Sequence, residues 1–250
     1  MLKFNEVTFK YSNSNENIIE DLSFNVNKGD FVSIIGASGC GKSTIFRLIA
    51  SLEKPSTGTI CIKGENIKNL KSQIGYMPQK DLLLPWRTIL ENICLPLEIQ
   101  GVSSSSAKSQ GEELLSKFNL YSYKDKYPKD LSGGMKQRIS FIRTLLTGSE
   151  LLLLDEPFSA LDAITRLSLQ EWILDQWKKY KKTILFITHD VEEAMFLSNK
   201  IFVVNKNPIT NLKEININLE YPRSRKMLEV EELLLLKDNL IEELRQKVKI

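Results

Sequence analysis

Phe31-Val32-Ser33-Ile34-Ile35 is a short run of apolar, branched residues, and a glycine-rich stretch follows it. A run without polar alternation suits a strand buried on both faces, as in a parallel sheet. Thr44-Ile45-Phe46-Arg47-Leu48-Ile49-Ala50 then reads as helix. Residues 151–154 and 183–188 form two further apolar runs, and both end in polar residues. Between them Leu169, Ile173, Trp177 and Tyr180 recur at spacings of four, four and three, which puts them on one helical face. Strand, helix and strand in that order predict a parallel α/β sheet.

The middle of the chain is patterned differently. From 82 to 147 the periodicity is mostly helical, broken at Pro85, Pro96, Gly101 and Pro128, and reads as a helical lobe inserted in the sheet domain. The four serines at 103–106 predict a helix-entry loop. Lys178-Lys179-Tyr180-Lys181-Lys182 reads as a solvated helix C-terminus rather than a nucleic-acid patch, because cations complement that end of the helix dipole. After an apolar run at 201–204 comes a polar connector, then a helix from about Leu228. No internal repeat is present.

Composition adds limits. A chain of 250 residues accommodates one large domain or two small ones. With 34 basic and 31 acidic residues the net charge is +3, which makes no electrostatic case for nucleic acid or acidic lipid. No stretch approaches the ~18–20 apolar residues that span a bilayer. Met1-Leu2-Lys3-Phe4-Asn5-Glu6 has no signal-peptide core. Cys40, Cys61 and Cys94 are few, odd in number and without metal-ligand spacing, as expected of a reducing compartment.

The glycine-rich stretch carries chemistry. Gly36-Ala37-Ser38-Gly39-Cys40-Gly41-Lys42-Ser43 fits G-x-x-x-x-G-K-[ST], between a predicted strand and a predicted helix. Glycines let backbone amides approach phosphates, and the helix N-terminus adds partial positive charge. Lys42 can reach the β- and γ-phosphates, and Ser43 can give an oxygen to Mg²⁺. The run at 151–154 delivers Asp155 and Glu156 at its C-terminal end, where such sheets bind ligands. Asp155 can hold the Mg²⁺ shell and Glu156 can polarise an attacking water. A strand ending in solvated acids is the plain alternative, and the phosphate loop weighs against it. In Leu131-Ser132-Gly133-Gly134-Met135-Lys136-Gln137-Arg138, Ser132, Gly133 and Gly134 offer donors to an anion at a helix start, or form an ordinary cap.

Together these motifs resemble the ATP-binding cassette (ABC) family, whose signature is LSGGQ-like; the fifth signature position here is Met135, as in importer ATPases of the LSGGM-x-QR type. The resemblance reaches to about Arg225. It implies an α/β fold: a P-loop NTPase (RecA-like) core with a mostly parallel sheet, an N-terminal antiparallel β subdomain and an inserted helical subdomain. The implied division is a nucleotide-binding core at 1–81 and 148–215, a helical subdomain at 82–147 and a C-terminal extension at 216–250. The implied cofactors are ATP and Mg²⁺. ATP would meet the loop from Gly36 through Ala37, Ser38, Gly39, Cys40, Gly41, Lys42 and Ser43 to Thr44. Gln79 resembles the Q-loop glutamine, which senses the γ-phosphate, and joins Ser43 and Asp155 as a metal ligand. Ser159-Ala160-Leu161-Asp162 resembles the D-loop. His189, the single histidine, resembles the switch histidine at the γ-phosphate. Tyr11 matches the aromatic that stacks on adenine, with a surface or core aromatic as its other reading.

The same resemblance implies partners. Two copies form a head-to-tail dimer, with ATP between one phosphate loop and the other chain's Ser132, Gly133 and Gly134. A transmembrane permease is docked from the cytoplasmic face of the membrane, a substrate-binding protein is reached indirectly, and no nucleic acid is bound. Leu82-Leu83-Leu84-Pro85-Trp86-Arg87-Thr88-Ile89-Leu90-Glu91-Asn92 and Tyr221-Pro222-Arg223-Ser224-Arg225 resemble the nitrate, sulfonate and taurine importers. Importers of thiamine-pyrimidine precursors and of bicarbonate are near relatives. Where members often carry Arg-Pro-Gly, this chain has Asn205-Lys206-Asn207-Pro208-Ile209. Two other classes compete: a soluble cassette ATPase with a non-transport partner, and a catalytically dead scaffold. The first usually has two cassettes or a coiled-coil insert; the second is expected to lack Lys42, Glu156 or His189, all present. Trp86, in an uncharged stretch beside Gln79, reads either as lobe core or as a permease contact.

Overall fold

The computed structural model describes residues 1–69, 74–159 and 161–246. The chain divides into two compact units, Met1–Lys71 with Leu174–Ile250, and Ser72–Ile173.

The first unit opens with β1 (Leu2–Phe9) and β2 (Ile19–Val26). The buried residues of β1 are Leu2 and Phe4, then Val7 and Phe9. Period-two alternation is kept on both sides of one extra residue, which is the pattern of a β-bulge. The register with β2 accordingly shifts between Phe4 and Val7, and Glu6 takes a φ of 48°. With β4 (Thr57–Ile62) and β5 (Glu65–Asn66) these strands form an antiparallel sheet in the order β2-β1-β4-β5.

The same unit holds the parallel strands. Every residue of β3 (Phe31–Gly36), β8 (Thr183–Ile187) and β9 (Lys200–Val204) is buried. β3 pairs in parallel with β8 on one side and β9 on the other, and β10 (Lys213–Asn216) closes the edge antiparallel to β9. The helices are α1 (Lys42–Ile49), α6 (Val191–Leu197) and α7 (Glu231–Arg245). The C-terminal helix expected from about Leu228 starts later. Arg225–Glu229 is a 3-10 turn and Val230 is extended, so Leu228 is buried on the turn instead.

In the second unit β6 (Ile74–Met77) pairs in parallel with β7 (Leu151–Asp155). Its helices are α2 (Ile89–Ile99), α3 (Ser104–Lys117), α4 (Gly133–Leu145) and the start of α5 (Ala163–Tyr180). Two expected boundaries move. Pro96 lies inside α2; it removes one backbone donor, but a Thr88–Glu91 capping box fixes the helix start and Ile93 and Leu97 are buried. Of the four serines, Ser103 precedes α3 and the other three are its first turn. On α5, Leu169 and Ile173 face inward, Trp177 donates its indole N–H to Gly29 O at 3.0 Å, and Tyr180 is exposed at the helix end. Among the described residues no helix is long and apolar enough to cross a membrane.

Candidate functional site

In the first unit, parallel pairing sets the site. Ile34 is in register with Ile187, so the chain leaves β3 at Gly36 and β8 at Thr188 and His189 from the same end and the same level. The Thr188 N–H donates to Ile34 O at 3.3 Å. Gly41, which precedes α1, has a φ of 99°, and a Cβ there would lie 2.8 Å from Ile18 Cγ2, so no other residue fits. Helix α1 has no side-chain cap and no acid in its first turn. Its N-terminal amides therefore present their dipole to an outside anion. Lys42 is buried, and its ammonium donates to Gly36 O and Ala37 O, each at 2.8 Å, with Cys40 Sγ at 3.9 Å. No carboxylate pairs with it among the described residues. A buried cation met by two carbonyls and a thiol calls for an anion.

Ser38 and Gly39 at the loop tip and Ser43 are exposed, whereas Thr44 is buried. Tyr11 and Thr44 share a hydroxyl–hydroxyl bond of 3.1 Å, and the Phe9 ring stands edge-on to Tyr11 at 4.9 Å. The half-buried Tyr11 ring is thus held beside the helix that follows the phosphate loop. His189 is exposed, between the buried Thr188 and Asp190, the cap of α6.

The second unit repeats the logic of strand ends. Met77 is in register with Leu154, so Gln79 and Glu156 each lie two residues beyond a paired position. The Gln79 amide donates to Glu156 Oε2 at 2.7 Å. Glu156 has a φ of 48°, in the left-handed region, and its carbonyl accepts from both Ser159 N and Ser159 Oγ, at 3.2 and 3.0 Å. Asp155, the last residue of β7, is buried. Asp162 caps α5: its carboxylate accepts from Thr165 N at 3.0 Å, and hydrogen bonding first to the Thr165 side chain and then to its backbone holds the carboxyl below the usual range. Ala160 of the expected D-loop lies outside the described residues. Ser132 caps α4, accepting from Met135 N at 3.3 Å, and Gly133 and Gly134 form the first turn. Ser132 engages its own helix rather than Gln79, Glu156 or Asp162.

Residues 19–159 match the model of the ABC transporter family. This chain is an ATPase of the ABC transporter family. It is 47% identical over 217 residues to the formylaminopyrimidine import ATP-binding protein ThiZ of Halalkalibacterium halodurans, covering 87% of this chain and 84% of the relative. It is 40% identical over 226 residues to the aliphatic sulfonates import ATP-binding protein SsuB of Bacillus thuringiensis subsp. konkukian, covering 90% and 89%. Among solved structures, the dimeric post-hydrolysis state of the ATP-binding cassette MJ0796 bound to ADP and Pi resembles this ABC ATPase with a TM-score of 0.79. That likeness spans 88% of this chain and 100% of the other at 28% identity.

Three residues of this ABC ATPase escaped the sequence reading. Gln137, inside the signature segment, donates to Gln79 O at 2.9 Å. Arg143, also on α4, donates to Asp81 O at 2.6 Å and Leu82 O at 2.8 Å. Asn92 is fully buried; its amide donates to Leu84 O, Arg87 O and Thr88 O, and its side-chain oxygen accepts from Leu84 N. The one available signal was an asparagine amid the apolar residues of α2.

Proposed function

We propose that this ABC ATPase energises import of a small solute through a separate permease, docking on it from the cytoplasmic side. The supporting observation is the identity of 47% and 40% to two import ATP-binding proteins, each matched over more than four-fifths of its length. Their named cargoes, a formylaminopyrimidine and aliphatic sulfonates, define the class to test first. The cargo meets the permease and a substrate-binding protein, not this chain. The core at 1–81 and 148–215 serves the nucleotide, and the 82–147 lobe serves the partners.

Each site residue has a role toward ATP. The amides from Gly36 to Thr44 and the Lys42 ammonium bind the phosphates; the Lys42 ammonium turns from Gly36 O and Ala37 O to phosphate oxygens. Tyr11, fixed by Thr44, stacks on adenine. Glu156 accepts a proton from the attacking water, and Gln79 sets the direction of its carboxylate. His189 donates to the γ-phosphate. Ser43, Gln79 and Asp155 would hold Mg²⁺ through hard oxygen donors. With the Gln79 amide nitrogen on Glu156, its amide oxygen is left for a cation. When bound, that ion neutralises charge on the phosphate oxygens. Ser132, Gly133 and Gly134 serve the nucleotide of a second copy in a head-to-tail dimer, with Asp162 beside it.

The complex of this ATPase with its permease and binding protein, placed in vesicles, tests the proposal. ATP-driven uptake of a pyrimidine precursor or a small sulfonate is expected. Uptake should vanish with Lys42→Ala and on Mg²⁺ chelation, and return when Mg²⁺ is restored. Steady hydrolysis by the intact complex without uptake of either class would overturn it.

A further inference from the structure

Helix α6 begins one residue after His189 is left behind, at its cap Asp190, and is only seven residues long. So short a helix has little stability of its own, and its direction depends on what holds its ends. A helix leaves its last four carbonyls without partners inside it. Here those are Ala194, Met195, Phe196 and Leu197, and each is accounted for. Ala194 O accepts from Ser198 N at 3.1 Å. Met195 O and Phe196 O accept from Arg223 Nη1 at 3.2 and 2.9 Å, and Ser198 O accepts from the same nitrogen at 2.8 Å. Leu197 O accepts the Tyr221 hydroxyl at 3.2 Å. Arg223 is buried, its guanidinium lies 4.1 Å over the Tyr221 ring, and Tyr221 packs against Trp177 at 4.8 Å. A cation at this end also complements the helix dipole.

The opposite end of α6 is fastened as thoroughly. Asp190 accepts from Glu192 N and Glu193 N at 2.8 and 3.1 Å. Thr188 Oγ1 accepts from Asp190 N at 3.0 Å and donates to the buried Glu193 carboxylate at 2.7 Å. Glu192 in turn is reached by Arg225 at 3.5 Å and Lys237 at 3.4 Å. His189 therefore projects from a backbone whose two neighbours are both tied to α6, and α6 is tied to the segment 221–225.

We propose that Tyr221 and Arg223 are positioning residues for His189, acting through α6 as a brace that fixes where the imidazole meets ATP. The inference rests on the reading of His189 as the residue at the γ-phosphate. It assigns the 221–225 segment a part in hydrolysis exerted through its hydrogen bonds to α6. A brace that served folding alone would lower the melting temperature and nothing specific to His189.

Tyr221→Phe and Arg223→Lys distinguish the two. Tyr221→Phe keeps the ring against Trp177 and removes one donor; Arg223→Lys keeps the charge and loses the fork that serves several carbonyls. His189 is the only histidine, so its ring Cε1–H gives a single NMR signal in the full-length chain. Both variants should shift or broaden that signal. Misplacement of the imidazole should lower kcat about tenfold with KM for ATP nearly unchanged. Residues acting through one group are not additive, so in a His189→Ala background either substitution should leave kcat within about twofold. Equal losses in both backgrounds, or an unmoved ring signal, overturns the proposal. Parental hydrolysis by His189→Ala overturns it as well, through the reading of His189; the ring signal, which would still move, identifies that as the cause. Should Arg223→Lys fail to fold, Tyr221→Phe carries the comparison.

Discussion

Glu156 sits in a left-handed backbone conformation that costs a non-glycine residue of order 1–3 kcal/mol. Two hydrogen bonds from Ser159 to its carbonyl hold it there, and the Gln79 amide donates to its carboxylate. Glu156→Gln keeps that geometry, since an amide oxygen can still accept from Gln79, and removes only the carboxylate that we propose takes a proton. Hydrolysis by the purified variant is expected to fall by roughly 10²–10⁴-fold, the range for loss of a general base. ATP binding should persist, and ATP-bound dimer should accumulate on size exclusion. Phosphate release at the parental rate would sink the assignment. Tyr221 gives a second residue-scale expectation. Burial pushes its phenol from 10.0 up to about 12. Between those values the folded state keeps a proton that the unfolded state has lost, so this contribution is intact below pH 10 and is lost as pH rises through 12. Urea titrations across that window should show parental stability declining more steeply than that of Tyr221→Phe; parallel declines would mean the phenol is not shielded.

At the scale of elements, the bulge in β1 is the point most exposed to a single change. Gly58 lies opposite it with a φ of 80°, and a Cβ there would overlap the Glu6 carbonyl and lie 2.6 Å from Asn5 O. Both obstacles are backbone, which cannot swing aside. Gly58→Ala is expected to cost about 3 kcal/mol, the sum of left-handed strain and overpacking. Denaturant titration measures it, and a loss under about 1 kcal/mol would show that the bulge yields. The extra residue in β1 could have been read from Leu2 and Phe4 followed by Val7 and Phe9, because burial fixes the phase of a strand. The parallel strands were legible for a similar reason: runs such as 151–154 are apolar on both faces. Pro96 misled because local propensity marks a break, while burial of its neighbours carries the helix through. The Gln79–Glu156 contact was not legible at all, since it depends on the register Met77↔Leu154, which no local pattern encodes. Nor was the tie between Thr188 and Glu193, where a helix carboxylate turns out buried.

For the whole molecule the question is where it meets its permease. Of the apolar stretch after Gln79, Leu83 is buried, whereas Leu82 is 59% and Trp86 71% exposed. The lobe-core reading therefore does not suit Trp86. Exposed apolar side chains matter when they are grouped and held still, and this stretch is held from below. Asn92 binds the backbone at Leu84, Arg87 and Thr88, while Arg143 binds it at Asp81 and Leu82. Gln137 binds Gln79 itself, so the two side chains from α4 link the signature helix to the chain that leads to Trp86. Trp86→Ala should leave the melting temperature of the free subunit unchanged, since substitutions at exposed sites stay within about ±0.5 kcal/mol. Its ATPase activity without permease should also persist. Docking should weaken by about 2 kcal/mol or more, the loss typical of a tryptophan at the centre of an interface, and would be read as reduced co-purification with the permease. A large fall in melting temperature with docking intact would return Trp86 to the interior, and the contact would have to be sought elsewhere on the lobe.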